Sequence, residues 1–214
     1  MAWAKSMIRS MAFILVGCGA WSVLTLAEAT RHDQVQKSNV STSARAEGLE
    51  AWQQIYSVLR HPRCINCHTA TNFPQQGDDR HRHFANVVRG PEDKGVPALQ
   101  CITCHQESNA DSTGVPGAHD WHLAPLSMKW QDRSGKILSS AEVCRTVTDR
   151  TKNHNLDGAG LLKHHTVEPL VLWSFQPGLN IDGTPRSLPP LTHDELVAAT
   201  RKWVEAGTPC PQIH

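Results

Sequence analysis

Apolar positions along this chain fall into separated groups, and the rhythm of each group predicts an element. Residues 11–27 (MAFILVGCGAWSVLTLA) are almost continuously apolar. Leu49, Trp52, Ile55, Tyr56 and Leu59 recur at helical spacing, which predicts a helix over about 45–60 with Ser43 as its cap. His61-Pro62 ends it, because a residue before proline avoids the α region. From 69 to 138 neither the helical nor the alternating rhythm is sustained, and Gly, Pro, Asp, Asn and His dominate. Periodicity returns late. Ser139 with Glu142 makes a capping box for a helix over about 140–151, and 158–166 reads as a short helix. Thr192 with Glu195 makes a second box, for a helix over about 193–206 whose inner face is Leu196, Val197, Thr200, Trp203 and Val204 and which Gly207 stops. Residues 174–191, rich in Pro and Gly, read as a connector. The expected fold class is mostly α and loop-rich, with no strand alternation.

The N-terminal group reads as a targeting segment. Lys5 and Arg9 precede the apolar run, and Ala27-Glu28-Ala29 follows it as an A-x-A cleavage signal, the layout of a secretory signal peptide over 1–29. Two other readings stay open. Leu15-Val16-Gly17-Cys18 fits a lipoprotein signal with a lipidated Cys18, and an uncleaved membrane anchor of about 17 apolar residues lies at the short limit for a span. All three export the chain, with a periplasmic destination, and membrane attachment is expected only if the N-terminus is retained or Cys18 is lipidated. The polar residues 30–43 read as a flexible lead-in, and 44–214 as the folded domain.

A formal net charge of +1 gives no electrostatic footprint for nucleic acid. The 13 histidines change the picture, since neutral imidazole is the commonest metal ligand. Beyond the signal segment the cysteines are Cys64, Cys67, Cys101, Cys104, Cys144 and Cys210.

Four of these belong to a repeat. Cys64-Ile-Asn-Cys-His-Thr-Ala-Thr-Asn72 and Cys101-Ile-Thr-Cys-His-Gln-Glu-Ser-Asn109 share both cysteines, the isoleucine, the histidine and the closing asparagine. A histidine pair follows each copy: His81 and His83 after the first, His119 and His122 after the second. Cys-x-x-Cys-His is the attachment signature of c-type haem. Cysteines three apart on a helical turn point the same way, so each reaches one vinyl group of the porphyrin, and the next residue is delivered to the iron. Two such copies predict two covalently bound haems, with Cys64, Cys67, Cys101 and Cys104 as thioethers and His68 and His105 as proximal ligands. The haems would replace missing core in the loop-rich middle. A four-cysteine zinc site is disfavoured by the long separation of the pairs, and a thioredoxin-like switch by the lack of a βαβ setting.

For the second axial position, Met128 is the sole methionine beyond the signal segment, so one haem at most has His/Met ligation. The repeat points to His83 and His122, with His81, His119, Met128 and His165 in reserve. His61 is too close to Cys64 to reach the far face. Arg80, Arg82 and Arg89 are available for propionates. Cys144 and Cys210 remain for a disulfide in an oxidising compartment. Trp52, Trp121, Trp130, Trp173 and Trp203 read as core or pocket walls.

The stretch 64–109, with GVPGAHDWHLAPLSMKW (114–130), HHTVEPLVLW (164–173) and WVEAGTPCP (203–211), resembles a family of bacterial exported proteins labelled "isoquinoline 1-oxidoreductase subunit". Isoquinoline oxidoreductase is a molybdenum hydroxylase with iron–sulfur clusters, and this chain has neither plant-type cluster spacing nor the length for a molybdopterin domain. The resemblance therefore implies a redox partner that accepts electrons from such an enzyme. The expected architecture is of the multihaem cytochrome c type, relaying single electrons between redox proteins. The alternative is a haem c enzyme or small-molecule sensor in which one iron keeps an open position for peroxide or a nitrogen oxide.

Overall fold

The structure is a computed structural model that describes residues 19–213. Cys18 and most of the targeting segment lie outside the described residues. The chain divides after Ser43 into two units. In the first, the described residues belong to a helix, α1 (Gly19–Leu59), which continues into the second unit. Residues 30–43 are thus helical rather than an irregular lead-in, and Ser43 lies inside the helix instead of capping it. The physical reason is local: no Gly or Pro interrupts the chain between Thr30 and Glu47. Among the described residues, no helix is long and apolar enough to cross a membrane.

The second unit is mostly helical and loop-rich. Its elements are α2 (Pro62–Ile65), two minimal hairpins β1–β2 (Gln75–Gln76, His81–Arg82) and β3–β4 (Gly95–Val96, Leu99–Gln100), then α3 (Ser140–Thr148), α4 (Gly158–Val167), α5 (Pro169–Phe175) and α6 (His193–Glu205). Both hairpins are antiparallel. Their strands have two residues each, too short to leave an alternating signature in sequence.

Trp52 and Trp203 are fully buried at the centre of the core, their rings 5.0 Å apart. Around them pack Ile55 and Val58 of α1, Val143 and Val147 of α3, Leu161 of α4 and Leu196 of α6. Each central indole N–H is satisfied: Trp52 donates to Ser140 O at 3.1 Å and Trp203 to Pro209 O at 3.0 Å. Both expected capping boxes form, Ser139 with Glu142 and Thr192 with Glu195. Helix α3 stops at Thr148, short of 151, because the Asp149 side chain captures the Thr151 N–H at 3.0 Å and the Thr151 hydroxyl at 2.6 Å. Helix α6 ends before Gly207, whose φ of 79° is the left-handed conformation glycine adopts without strain. Cys144 and Cys210 are disulfide-bonded, Cα to Cα 5.6 Å, which ties the tail beyond α6 to α3. Helix α5 was not anticipated. Seven residues are too few for a periodic signal, although Pro169 at its first position marks the start.

Candidate functional site

The first cysteine pair sits on a helical turn. Pro62 opens α2 with its fixed φ, and His61 caps it, its Nδ1 accepting from the Arg63 N–H at 3.3 Å. The N–H groups of Cys67 and His68 both return to Cys64 O at 3.2 Å. Cys64, Cys67 and His68 therefore lie at i, i+3 and i+4, on one face of the turn.

His68 is held in one tautomer. Its Nδ1 lies 2.6 Å from Met128 O. A carbonyl only accepts, so Nδ1 carries the hydrogen and Nε2 keeps the lone pair. Trp130 stacks flat on the ring, centroids 3.4 Å apart and planes 5° from parallel, and its backbone N–H donates to His68 O at 2.9 Å. Position, tautomer and tilt are all set by neighbours, as for metal-binding imidazoles in general.

The second pair repeats the plan with different material. Cys101 follows β4 directly in a 3₁₀ turn, Cys101–Thr103, and the His105 N–H returns to Cys101 O at 3.0 Å. His105 Nδ1 donates to Pro116 O at 2.8 Å, and Trp121 stacks on the ring at 4.4 Å and 6°. The two turns differ in exposure. Ile65 is fully buried between the first cysteines, whereas Ile102 between the second is 51% exposed.

Burial governs the titration of these groups. It pushes the Cys64 thiol up to about 12 and, with a smaller contribution from neighbouring Cys101, the Cys67 thiol up to about 11. Redox-active cysteines need the opposite shift, toward thiolate. Burial also pushes His68 down to about 3 and lowers His105. Among the described residues, no three His, Cys, Asp or Glu side chains converge as ligands of a metal ion.

Cys64, Cys67 and His68 open onto a cavity of about 390 Å³. That is within the range of cofactor sites, about 300–1,000 Å³. Its apolar wall includes Val58, Leu161 and Leu196. Trp121 lines it as well, and the same indole stacks on His105. The Cys67–Cys101 influence and this shared indole make the two turns neighbours.

The remaining histidines are distributed in a way the repeat did not indicate. His83 follows the first motif, yet its ring lies beside His105 of the second, 5.9 Å between centroids at 73°. His122 follows the second motif, yet it lines the cavity of the first. Both have Nδ1 on a backbone carbonyl at 2.5 Å: His83 on Phe84 O, His122 on Asp120 O. His81 pairs with Asp79 at 2.6 Å and His119 with Glu107 at 2.9 Å. The His119 side chain is 71% exposed. Met128 offers its carbonyl to His68 and packs its side chain against the core.

His165 is 6% exposed and lies on the cavity wall. Its Nδ1 is 2.8 Å from Thr200 Oγ1, and that hydroxyl donates to Leu196 O at 2.8 Å. The hydroxyl proton being used, His165 Nδ1 is the donor and Nε2 keeps the lone pair. His164 and His154 also reach the cavity. Neither was singled out as a ligand from sequence.

The arginines read as propionate partners are occupied by protein. Arg89 is buried and clamps Thr69 O, Ala124 O and Asp93. Arg80 donates to Gly135 O at 3.2 Å, and Arg82 lies 4.7 Å over the Phe73 ring. Arg63 was overlooked. It is buried at the cavity, paired with Asp78, and its Nε has no partner.

Comparison with family models, with curated proteins and with solved structures gives no match for this chain.

Proposed function

We propose that this protein is an exported dihaem cytochrome c that relays single electrons between redox partners. One observation carries the reading. Two Cys-x-x-Cys-His turns each present a histidine whose Nδ1–H is spent on a backbone carbonyl, whose Nε2 lone pair is free, and whose ring is braced by a parallel indole. That is a proximal-ligand arrangement built twice.

Cys64 and Cys67 would hold one haem and Cys101 and Cys104 the other. Each thiol would add its S–H across a porphyrin vinyl group, sulfur to one carbon and hydrogen to the other, with no net oxidation or reduction. Burial keeps Cys64, Cys67 and Cys101 as neutral thiols before attachment. His68 and His105 would present Nε2 to the irons. Each bound group supplies a one-electron iron couple. Val58, Leu161 and Leu196 keep water from the first, and Trp121 sits between the two sites.

Export rests on the N-terminal sequence, and the Cys144–Cys210 disulfide suits an oxidising compartment such as the periplasm. A molybdenum hydroxylase as electron donor rests on the family resemblance alone. The alternative, a haem enzyme or sensor with an open iron, is disfavoured by the histidines with free Nε2 near both turns. The reading is tested by the mass of the mature protein from a host that matures c-type haem. Two haems are expected, and one or none would overturn it.

A further inference from the structure

We propose that the second axial ligands do not follow the repeat: His83 is the second ligand of the iron carried by His105, and His165 of the iron carried by His68. This deepens the dihaem reading and rests on it.

The repeat alone assigns each trailing histidine pair to its own motif. The fold overrules that. The β1–β2 hairpin is rooted on the first motif, Gln75 N–H to Asn66 O at 3.3 Å and Asn66 Nδ2 to Gly77 O at 2.9 Å. It sets His83 beside His105 of the second motif. The His83 N–H on Pro74 O, at 3.0 Å, fixes the exit of the second strand. Both rings spend Nδ1–H on backbone carbonyls, so both keep Nε2 for a metal. Their centroids are 5.9 Å apart. Two imidazoles holding one metal from opposite sides, with metal–nitrogen bonds of about 2.1 Å, would have ring centres about 6.5 Å apart, so the observed spacing needs only a shift of about half an ångström.

For the first iron the chain supplies a buried ligand from far downstream. Leu161 and His165 lie one turn apart on α4, so both face the cavity onto which Cys64, Cys67 and His68 open. His165 is the one of the cavity histidines whose second nitrogen is anchored inside the core, on Thr200 of α6. His122 is anchored on the carbonyl of Asp120 in its own loop, and His164 has a carboxylate, Glu168, at 3.9 Å. A ligand locked by packing and a buried hydrogen bond holds its metal geometry better than one on a loop.

The test uses the dihaem protein with its second haem marked. Cys104→Ala leaves that haem on a single thioether, which moves its reduced α-band to longer wavelength than its neighbour's. In this background His83→Ala should convert the shifted band to high spin and leave the other low-spin. His165→Ala should do the reverse, and His122→Ala should leave both low-spin. Added imidazole should restore low spin in each variant, which separates a vacated ligand position from misfolding. His83→Met should keep that haem low-spin with a methionine–iron band. The proposal is overturned if His83→Ala affects the unshifted band or neither, or if His122→Ala rather than His165→Ala yields the high-spin haem. A parent protein carrying other than two haems would sink the dihaem reading itself; two haems with the wrong response sink only the ligand assignment.

Discussion

The imidazole of His68 and the indole of Trp130 lie ring on ring, 3.4 Å apart and 5° from parallel, and are tied by a backbone hydrogen bond of 2.9 Å. Trp130 is 5% exposed and its indole nitrogen has no partner, so its contribution is the ring face and not the N–H. Trp130→Ala should cost about 3–5 kcal/mol, the usual range for removing a buried aromatic. Trp130→Phe should cost less than half as much, since it keeps a stacking ring and deletes an unpaired donor. Equilibrium denaturation of both variants checks this; equal losses would show that the indole nitrogen matters after all.

The Cys144–Cys210 disulfide closes a separation of 66 residues between α3 and the tail. Replacing both cysteines with alanine should lower stability by about 2–5 kcal/mol. The urea midpoint should fall while, in protein loaded with the proposed haems, their absorption stays as in the parent, because neither sulfur lines the cavity.

Thr200 links the core to the cavity through His165. Thr200→Val keeps the volume but removes the acceptor for His165 Nδ1–H, leaving a buried donor unpaired. A loss of about 1–3 kcal/mol is expected. If His165 is an iron ligand, the same change weakens its donation and raises the potential of the haem at Cys64 and Cys67, read by spectroelectrochemical titration.

Before haem attachment, acid should destabilise the protein early. Burial, followed by the nearby His164, His68 and His193, holds His165 at about 3, well below an ordinary histidine. The folded state thus binds fewer protons than the unfolded chain between those values. The stability that depends on neutral His165 is complete above about pH 6.5 and falls as pH drops toward 3, by up to about 1.4 kcal/mol per pH unit. His165→Gln, which cannot charge, should flatten this slope in urea titrations of the apoprotein between pH 6.5 and 4.

If the protein carries two haems as proposed, they should titrate in two steps. Oxidation adds positive charge to the iron, which water stabilises and an apolar cavity does not. The haem at the exposed Cys101–Cys104 turn should therefore have the lower potential. With Cys104→Ala marking it, its shifted α-band should disappear first as the potential is raised.

Much of this was already determined by sequence because it is local. A cysteine, a cysteine and a histidine at i, i+3 and i+4 share a face wherever the chain turns helically, so Cys64, Cys67 and His68 needed no tertiary information. The same holds for the capping boxes at Ser139 and Thr192, whose partners are three residues away. The core helices were legible from the spacing of Trp52, Ile55 and Leu59 and of Leu196, Thr200 and Trp203. Only the tertiary structure decided what meets across the fold. It set His83 against His105, put His122 in the cavity of His68, buried His165 on Thr200, and gave each proximal histidine its indole. Between 69 and 138 the path is set by side-chain clamps such as Arg89 and by two-residue hairpins, and neither leaves a periodic trace. Proximity along the chain made each motif's own histidines the natural partners; a hairpin rooted on one motif and pointing at the other reversed that choice.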